Sequence, residues 1–266
     1  MPTAQLNGID LYYEQRGSGP RVLFVNGSGS TLEEAALIVD VLAAGCEVLA
    51  HDQRGLGKTE VPPGPYTMAD YAADAAALLD HVGWERCSVV GISFGGMVAQ
   101  ELAVTVPERV ERLALLCTSP GGAGGPSYPL HELGDLPAAE QAAIGLSILD
   151  TRFTPEWLAS HPSDQALVEM MVARRAKPDD PEQARGKAEQ LGARAHHDVW
   201  DRLGRITCPT LVAGGRYDGI APPANSEAVA SRIAGADLRF YDGGHAFLAQ
   251  DPAAFPDVLA FLTAGT

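Results

Sequence analysis

The sequence is short of positive charge. Lys and Arg number 19 against 34 Asp and Glu over 266 residues, a formal net charge of −15 at neutral pH. No basic stripe is left to neutralise phosphates, so the composition argues against nucleic acid as a partner. The same deficit weighs against anionic membrane surfaces. Aromatics make up only 6% of the chain, and Ala, Gly and Val carry much of the apolar content. Long apolar runs are missing too, since no stretch approaches the ~20 residues that span a bilayer. The opening residues, Met1-Pro2-Thr3-Ala4-Gln5, lack the basic and apolar regions of a signal peptide. A soluble, cytoplasmic protein is expected. Cysteines are few: Cys46, Cys87, Cys117 and Cys208 sit at or beside predicted strands, and none forms a Cys-x-x-Cys pair. They read as small buried hydrophobes in a reducing compartment. With no His-Glu-x-x-His and no Cys cluster, no metal is expected, and no cofactor either. The sequence carries no signal of oligomeric state.

What is present alternates. Asn7-Gly8 marks a hairpin turn. The segments Val22–Asn26, Glu47–Ala50, Ser88–Val90, Val110–Cys117, Leu211–Ala213 and Asp237–Tyr241 read as strands. Several are apolar throughout, as expected of strands covered on both faces. Helical patterns fall between them, at about 31–44, 67–82, 94–106, 224–233 and 247–262, the last with a break near Pro252 or Pro256. Alternating strands and helices joined by short links imply an α/β fold, a mainly parallel sheet with helices on both faces. The rhythm stops after the Gly-rich stretch Pro120–Pro126. From about 129 to 200 no strand is expected, only helices near 137–149, 155–160, 163–175 and 181–194. This divides the chain into a core of 1–128 and 201–266 and a helical insertion of 129–200.

The chemistry centres on Gly91-Ile92-Ser93-Phe94-Gly95, which follows a β-branched run and opens an Ala-rich helix. A strand-to-helix turn this tight leaves no room for a side chain at either glycine and lifts the Ser93 hydroxyl to an exposed point. The bland reading is a helix-capping serine. A serine hydroxyl needs a base to become a nucleophile, and histidine is the default at neutral pH. Of seven histidines, only His245 follows a late strand in a tight Gly-Gly-His turn. His81 sits late on a helix, where a cation suits the dipole. His51 ends a strand. His131, His161, His196 and His197 fall in the insertion and read as solvated. Asp218, after the strand 211–213, is the best acceptor for the His245 ring, because the carboxyl ends of parallel strands converge on one edge. Asp242 competes, yet lies close enough to His245 to be a turn residue. Asp52, with Arg54 nearby, reads as structural. Two backbone donors would complete an oxyanion hole: the amide of Phe94, after the nucleophile, and that of Ser28, between Gly27 and Gly29.

Two motifs are decoys. Gly57-Lys58-Thr59 ends like a phosphate-binding loop, but its first glycine would fall on Asp52, whose charge repels phosphate. Gly27-x-Gly29 starts like a dinucleotide fingerprint whose third glycine would be Leu32.

Taken together, Gly91-Ile92-Ser93-Phe94-Gly95-Gly96, Asp52-Gln53-Arg54-Gly55-Leu56-Gly57, Gly215-Arg216-Tyr217-Asp218 and Gly243-Gly244-His245 resemble the α/β-hydrolase superfamily in order and spacing. The resemblance covers nearly the whole chain. It implies a mostly parallel eight-stranded sheet with a helical cap, Ser93 as nucleophile, Asp218 as acid and His245 as base. Where many members carry His-Gly in the oxyanion loop, this chain has Asn26-Gly27-Ser28-Gly29, similar to the loop of 3-oxoadipate enol-lactonases and of antibiotic-tailoring methyl esterases. The implied activity is hydrolysis of a small-molecule carboxylic ester or lactone. Trp157, Leu167, Met170 and Met171 are candidates to line its pocket, or else ordinary packing residues. The same triad serves carbon–carbon bond hydrolases and cofactor-free haloperoxidase-like enzymes, and the fold also serves non-catalytic small-ligand receptors.

Overall fold

Asn7 and Gly8 both take positive φ, 50° and 79°. That is the geometry of a two-residue hairpin turn matched to the twist of its strands. It folds β1 (Thr3–Leu6) back on β2 (Ile9–Gly17). The structure, a computed structural model, describes residues 2–175 and 180–264. Six further strands follow: β3 (Arg21–Val25), β4 (Glu47–His51), β5 (Cys87–Ile92), β6 (Val110–Leu116), β7 (Thr210–Gly215) and β8 (Asp237–Tyr241). They form one eight-stranded sheet in the order β1-β2-β4-β3-β5-β6-β7-β8. β1 and β2 run antiparallel to their neighbours, and every pairing from β4 through β8 is parallel. β3 and β5 lie side by side at the centre, where the strand order reverses. In open α/β sheets ligands gather at the carboxyl ends of the strands at such a point.

The apolar strands are fully buried because each face has its own helix layer. Side chains alternate along a strand. Val22, Phe24, Val90 and Leu116 therefore face α1 (Ala36–Ala43), α9 (Phe247–Gln250) and α10 (Ala254–Thr263), meeting Val39, Leu42, Phe247 and Val258. Leu23, Val25, Val89 and Leu115 face the other way. They meet Leu78 of α2 (Met68–His81), Val98 of α3 (Phe94–Thr105) and Val229 of α8 (Pro223–Arg232). Helix α2 starts where a capping box dictates: the Thr67 hydroxyl accepts from the Asp70 amide while the Asp70 carboxylate accepts from the Thr67 amide. Helix α1 begins at Ala36 rather than at the expected position just after Thr31. Thr31 and Glu34 still bond each other's amides, but around an isolated turn. The C-terminal helix breaks at 251–253, at Pro252, whereas Pro256 is accommodated inside the first turn of α10.

Between β6 and β7 lie α4 (Ala138–Leu149), α5 (Pro155–Ser160), α6 (Pro162–Arg175) and α7 (Pro181–Ala195). Three of the four open on proline, whose missing N–H costs nothing at that position. Glycine lets this segment close tightly onto the sheet layer. A Cβ on Gly186 of α7 would stand 1.9 Å from the Gly55 carbonyl, one on Gly121 would stand 1.8 Å from the His197 carbonyl, and one on Gly244 would stand 2.1 Å from the Leu149 carbonyl. Among the described residues no helix is long and apolar enough to cross a membrane.

Candidate active site

The turn between β5 and α3 shows why its glycines are there. Ser93 has φ 55° and ψ −114°, a backbone conformation that non-glycine residues rarely adopt. It is held from both sides. The Ser93 amide donates to the Leu116 carbonyl at 2.8 Å, and the Thr118 hydroxyl donates to the Ser93 carbonyl at 2.8 Å. A Cβ on Gly91 would lie 2.3 Å from the Gly95 carbonyl oxygen, and one on Gly95 would lie 2.1 Å from that of Val25. No side chain fits at either place. The cost of the strained serine is borne by the packed strands around it, as is common at functional sites.

The three side chains singled out from sequence meet at the carboxyl ends of β5, β7 and β8. His245 Nε2 lies 2.9 Å from Ser93 Oγ, and His245 Nδ1 lies 2.8 Å from Asp218 Oδ2. The other oxygen of Asp218 accepts the amides of Ile220 and Ala221, each at 2.8 Å. The carboxylate is therefore fixed by three bonds and buried, with its free direction aimed at the imidazole. Proton placement follows: Nδ1 carries its hydrogen toward Asp218, which leaves Nε2 able to accept from the serine. The His245 loop is set by its own backbone, the His245 amide donating to the Leu149 carbonyl at 2.6 Å.

Phe94 opens α3, so its amide has no acceptor within the helix and the positive end of the helix points at the serine. Ser28 follows β3 in a loop that lies against the turn: a Cβ on Gly27 would be 3.7 Å from that of Ser93. The Ser28 amide donates to no other group among the described residues. Among the described residues two unspent amides thus sit on the two segments that meet at Ser93, the loop after β3 and the start of α3.

The remaining candidates sort as follows. Asp242 is exposed and accepts from Arg152 of the helical segment at 2.8 Å, whereas His245 pairs with Asp218. Asp52 is structural, but not through Arg54. It accepts the amides of Leu32 and Lys58, while Arg54 pairs with Asp74 at 2.7 Å. His51 is buried, and burial pushes it down to about 4, so it stays neutral. His197, expected to be solvated, is instead only 5% exposed and likewise pushed down to about 4 by burial. Cys117 places its sulfur within 4.8 Å of Asp218 and His245 ligand atoms. Burial, with the Asp218 charge adding to it, raises this thiol well above its ordinary range, so it remains protonated.

A cavity of about 600 Å³ opens beside Ser28 and Gly29, walled by Leu146 and Leu149 of α4, Val168 and Met171 of α6, and Leu191 of α7. Of the four pocket candidates only Met171 lines it. Met170, about a hundred degrees round the helix, is 58% exposed. Leu167 is half-buried outside the lining. Trp157 packs within the helical segment: its indole N–H donates to Asp164 at 2.8 Å, and its ring stacks on His161 at 3.7 Å. Sequence reasoning missed the apolar wall from α4 and, more consequentially, the inner face of α7. There Gln190 and Arg194 are buried. The available signal was their spacing of four with Leu191 between them, but a polar helix ordinarily reads as solvated.

The family described as the alpha/beta hydrolase fold matches residues 20–252. The chain belongs to this family. Among proteins similar to this α/β hydrolase is a poly(3-hydroxyalkanoate) depolymerase of Ectopseudomonas oleovorans, 30% identical, with 98% of this chain and 91% of that one covered. A non-heme chloroperoxidase of Streptomyces lividans is 29% identical, with 96% and 97% covered. The solved enol-lactonase of Burkholderia xenovorans LB400 is 27% identical with a TM-score of 0.81, over 98% of this α/β hydrolase and 100% of that chain.

Proposed function

We propose that the protein is a serine hydrolase that cleaves a small-molecule carboxylic ester or lactone. The observation that carries this reading is the unbroken chain Ser93 Oγ, His245, Asp218, with links of 2.9 and 2.8 Å. Ser93 attacks the carbonyl carbon as its proton passes to His245 Nε2. The carbonyl oxygen, now negative, rests on the Ser28 and Phe94 amides, donors fixed before the charge develops. The imidazolium, steadied by Asp218, gives its proton to the leaving alkoxide as the C–O bond breaks. Water then attacks the acyl-serine by reverse use of the same groups. The scheme needs water alone. The helical segment 129–200 acts as the cap, and the cavity beside Ser28 receives an apolar part of the substrate. The polyester depolymerase and the enol-lactonase among similar chains support an ester-type carbonyl.

Intact mass after treatment with a fluorophosphonate tests the reading. One adduct on the wild-type protein and none on Ser93→Ala is expected, together with turnover of short esters or lactones. Absence of an adduct on folded protein would remove the nucleophile. An adduct without turnover of any ester or lactone would move the reaction to a carbon–carbon bond or to peroxide chemistry.

A further inference from the structure

Among the described residues Arg194 is a cation without an anion. It stands near the end of α7, one turn beyond Gln190, and only 5% of it is exposed. One of its three guanidinium nitrogens is used: Nη1 donates to the Tyr128 carbonyl at 2.7 Å. Nε and Nη2 are buried and have no acceptor among the described residues. Those two nitrogens form the edge of the guanidinium that grips a carboxylate side-on through parallel hydrogen bonds. Burial lowers this arginine to about 10, and the one charge that favours its protonated form is that of Asp218. Asp218 already holds three bonds and is spoken for by His245. A buried, unpaired guanidinium is expensive to retain for packing alone.

Its position ties it to the reaction. Tyr128, which holds Nη1, donates its amide to the Ile220 carbonyl at 2.7 Å, and the Ile220 amide donates to Asp218. On the same helix face, Gln190 Oε1 accepts the Gly29 amide at 2.7 Å, next to Ser28 of the oxyanion loop. The face of α7 carrying Gln190 and Arg194 therefore touches the loops on both sides of Ser93. Gln190 Nε2, Ser28 Oγ and Ser119 Oγ are also buried without partners. The apolar wall of the cavity lies toward α4 and α6. Beneath α7, against the loops on both sides of Ser93, there thus lies a set of buried polar groups that nothing among the described residues satisfies.

We infer that Arg194, steadied by Gln190 and Tyr128, is the receptor for a carboxylate on the substrate, so that the ester or lactone cleaved carries a second, anionic carboxyl group. This rests on the ester-hydrolase reading above and narrows it. The test compares matched pairs with the carboxylate on either side of the bond: mono-p-nitrophenyl glutarate against p-nitrophenyl pentanoate, and p-acetoxybenzoate against phenyl acetate. Wild-type protein should prefer the charged member of at least one pair by ten-fold or more in kcat/KM. Arg194→Met should cut kcat/KM for that substrate by about thirty-fold or more, mostly through KM, and change the neutral partner less than three-fold. Guanidinium ion added to Arg194→Ala should restore part of the loss. Preference for the neutral member in both pairs overturns the inference on wild-type protein alone, whether or not the variants fold. Equal loss on charged and neutral esters, with a shifted pH profile, overturns it as well, since Arg194 would then only balance Asp218. If Ser93→Ala cleaves the neutral esters as fast as wild type, the underlying hydrolase reading fails instead.

Discussion

The turn at Ser93 and the inner face of α7 are built on opposite principles. At the turn, backbone dictates residue. Gly91 and Gly95 face carbonyl oxygens that would stand closer than 2.5 Å to any Cβ, and Ser93 is pinned by bonds to its own amide and carbonyl. On α7 the backbone is an ordinary helix, and the site is made by what the side chains of Gln190 and Arg194 reach. On the hydrolase reading proposed above, the chemistry of acyl transfer is thus written into main-chain geometry, and the choice of substrate into side chains on a separate layer.

The comparison breaks most visibly at the turn. Ser93→Ala should lower the rate of ester turnover by about 10⁵-fold or more, and Asp218→Asn by about 10⁴-fold through the wrong imidazole tautomer. Both should leave the urea midpoint nearly unchanged. Steady-state kinetics beside denaturation curves read this directly. A loss below a hundred-fold for Ser93→Ala would assign the chemistry elsewhere.

Adding a methyl group sharpens the same contrast in stability. Gly95→Ala drives a Cβ into the Val25 carbonyl at 2.1 Å, between the central strand and α3. Backbone has to move, at a cost of roughly 3 kcal/mol in urea denaturation. Gly186→Ala meets the Gly55 carbonyl at 1.9 Å, but there one helix can lift from a loop. A smaller global cost, about 1 kcal/mol, and a raised KM are expected. Equal destabilisation by both would show that the helical segment is as integral to the fold as the sheet.

These two regions also explain what could be read from sequence. The sheet was legible because strands covered on both faces are apolar throughout, and Val22–Val25 and Val89–Val90 are. The insertion helices were legible within a residue or two because Pro155, Thr154, Pro181 and Asp180 mark their starts. The Ser93, Asp218 and His245 positions were legible because tight glycine turns leave few sequences that fit. The pocket was not. Met170 and Met171 are indistinguishable as letters, and only the rotation of α6 decides that one faces the cavity. His197 and Arg194 were opaque for a related reason: burial of a polar residue depends on a neighbouring layer that local pattern does not encode.

Acid should weaken both regions, by a predictable sign. His51, in the sheet layer, and His197, in the helical layer, are each lowered by burial from 6.5 to about 4. Above 6.5 the ring is neutral in folded and unfolded chains alike, and the full stability is present. As pH falls below 6.5 the unfolded chain takes up a proton that the folded ring refuses, so stability drops until about 4. The ceiling is roughly 3 kcal/mol for each histidine. Urea midpoints between pH 7 and pH 4 should fall, and His197→Asn should flatten part of the slope. If that variant leaves the slope untouched, His197 is solvated in the folded protein.

The smallest effect separates two adjacent methionines. Met171 lines the cavity and Met170 is mostly exposed. Met171→Ala removes apolar wall, so an acyl chain long enough to reach it loses contact while a short one does not. A drop of two- to ten-fold in kcat/KM for a longer ester relative to acetate is expected, less than a full buried side chain provides, because the cavity is open to water on one side. Met170→Ala should shift neither substrate and should change stability by no more than about 0.5 kcal/mol. The pair controls for helix propensity, since both substitutions place the same residue on the same helix. A chain-length effect from Met170→Ala as large as that from Met171→Ala would mean that α6 turns its other face to the substrate, and the side chains assigned to the apolar wall would have to be read anew from that face.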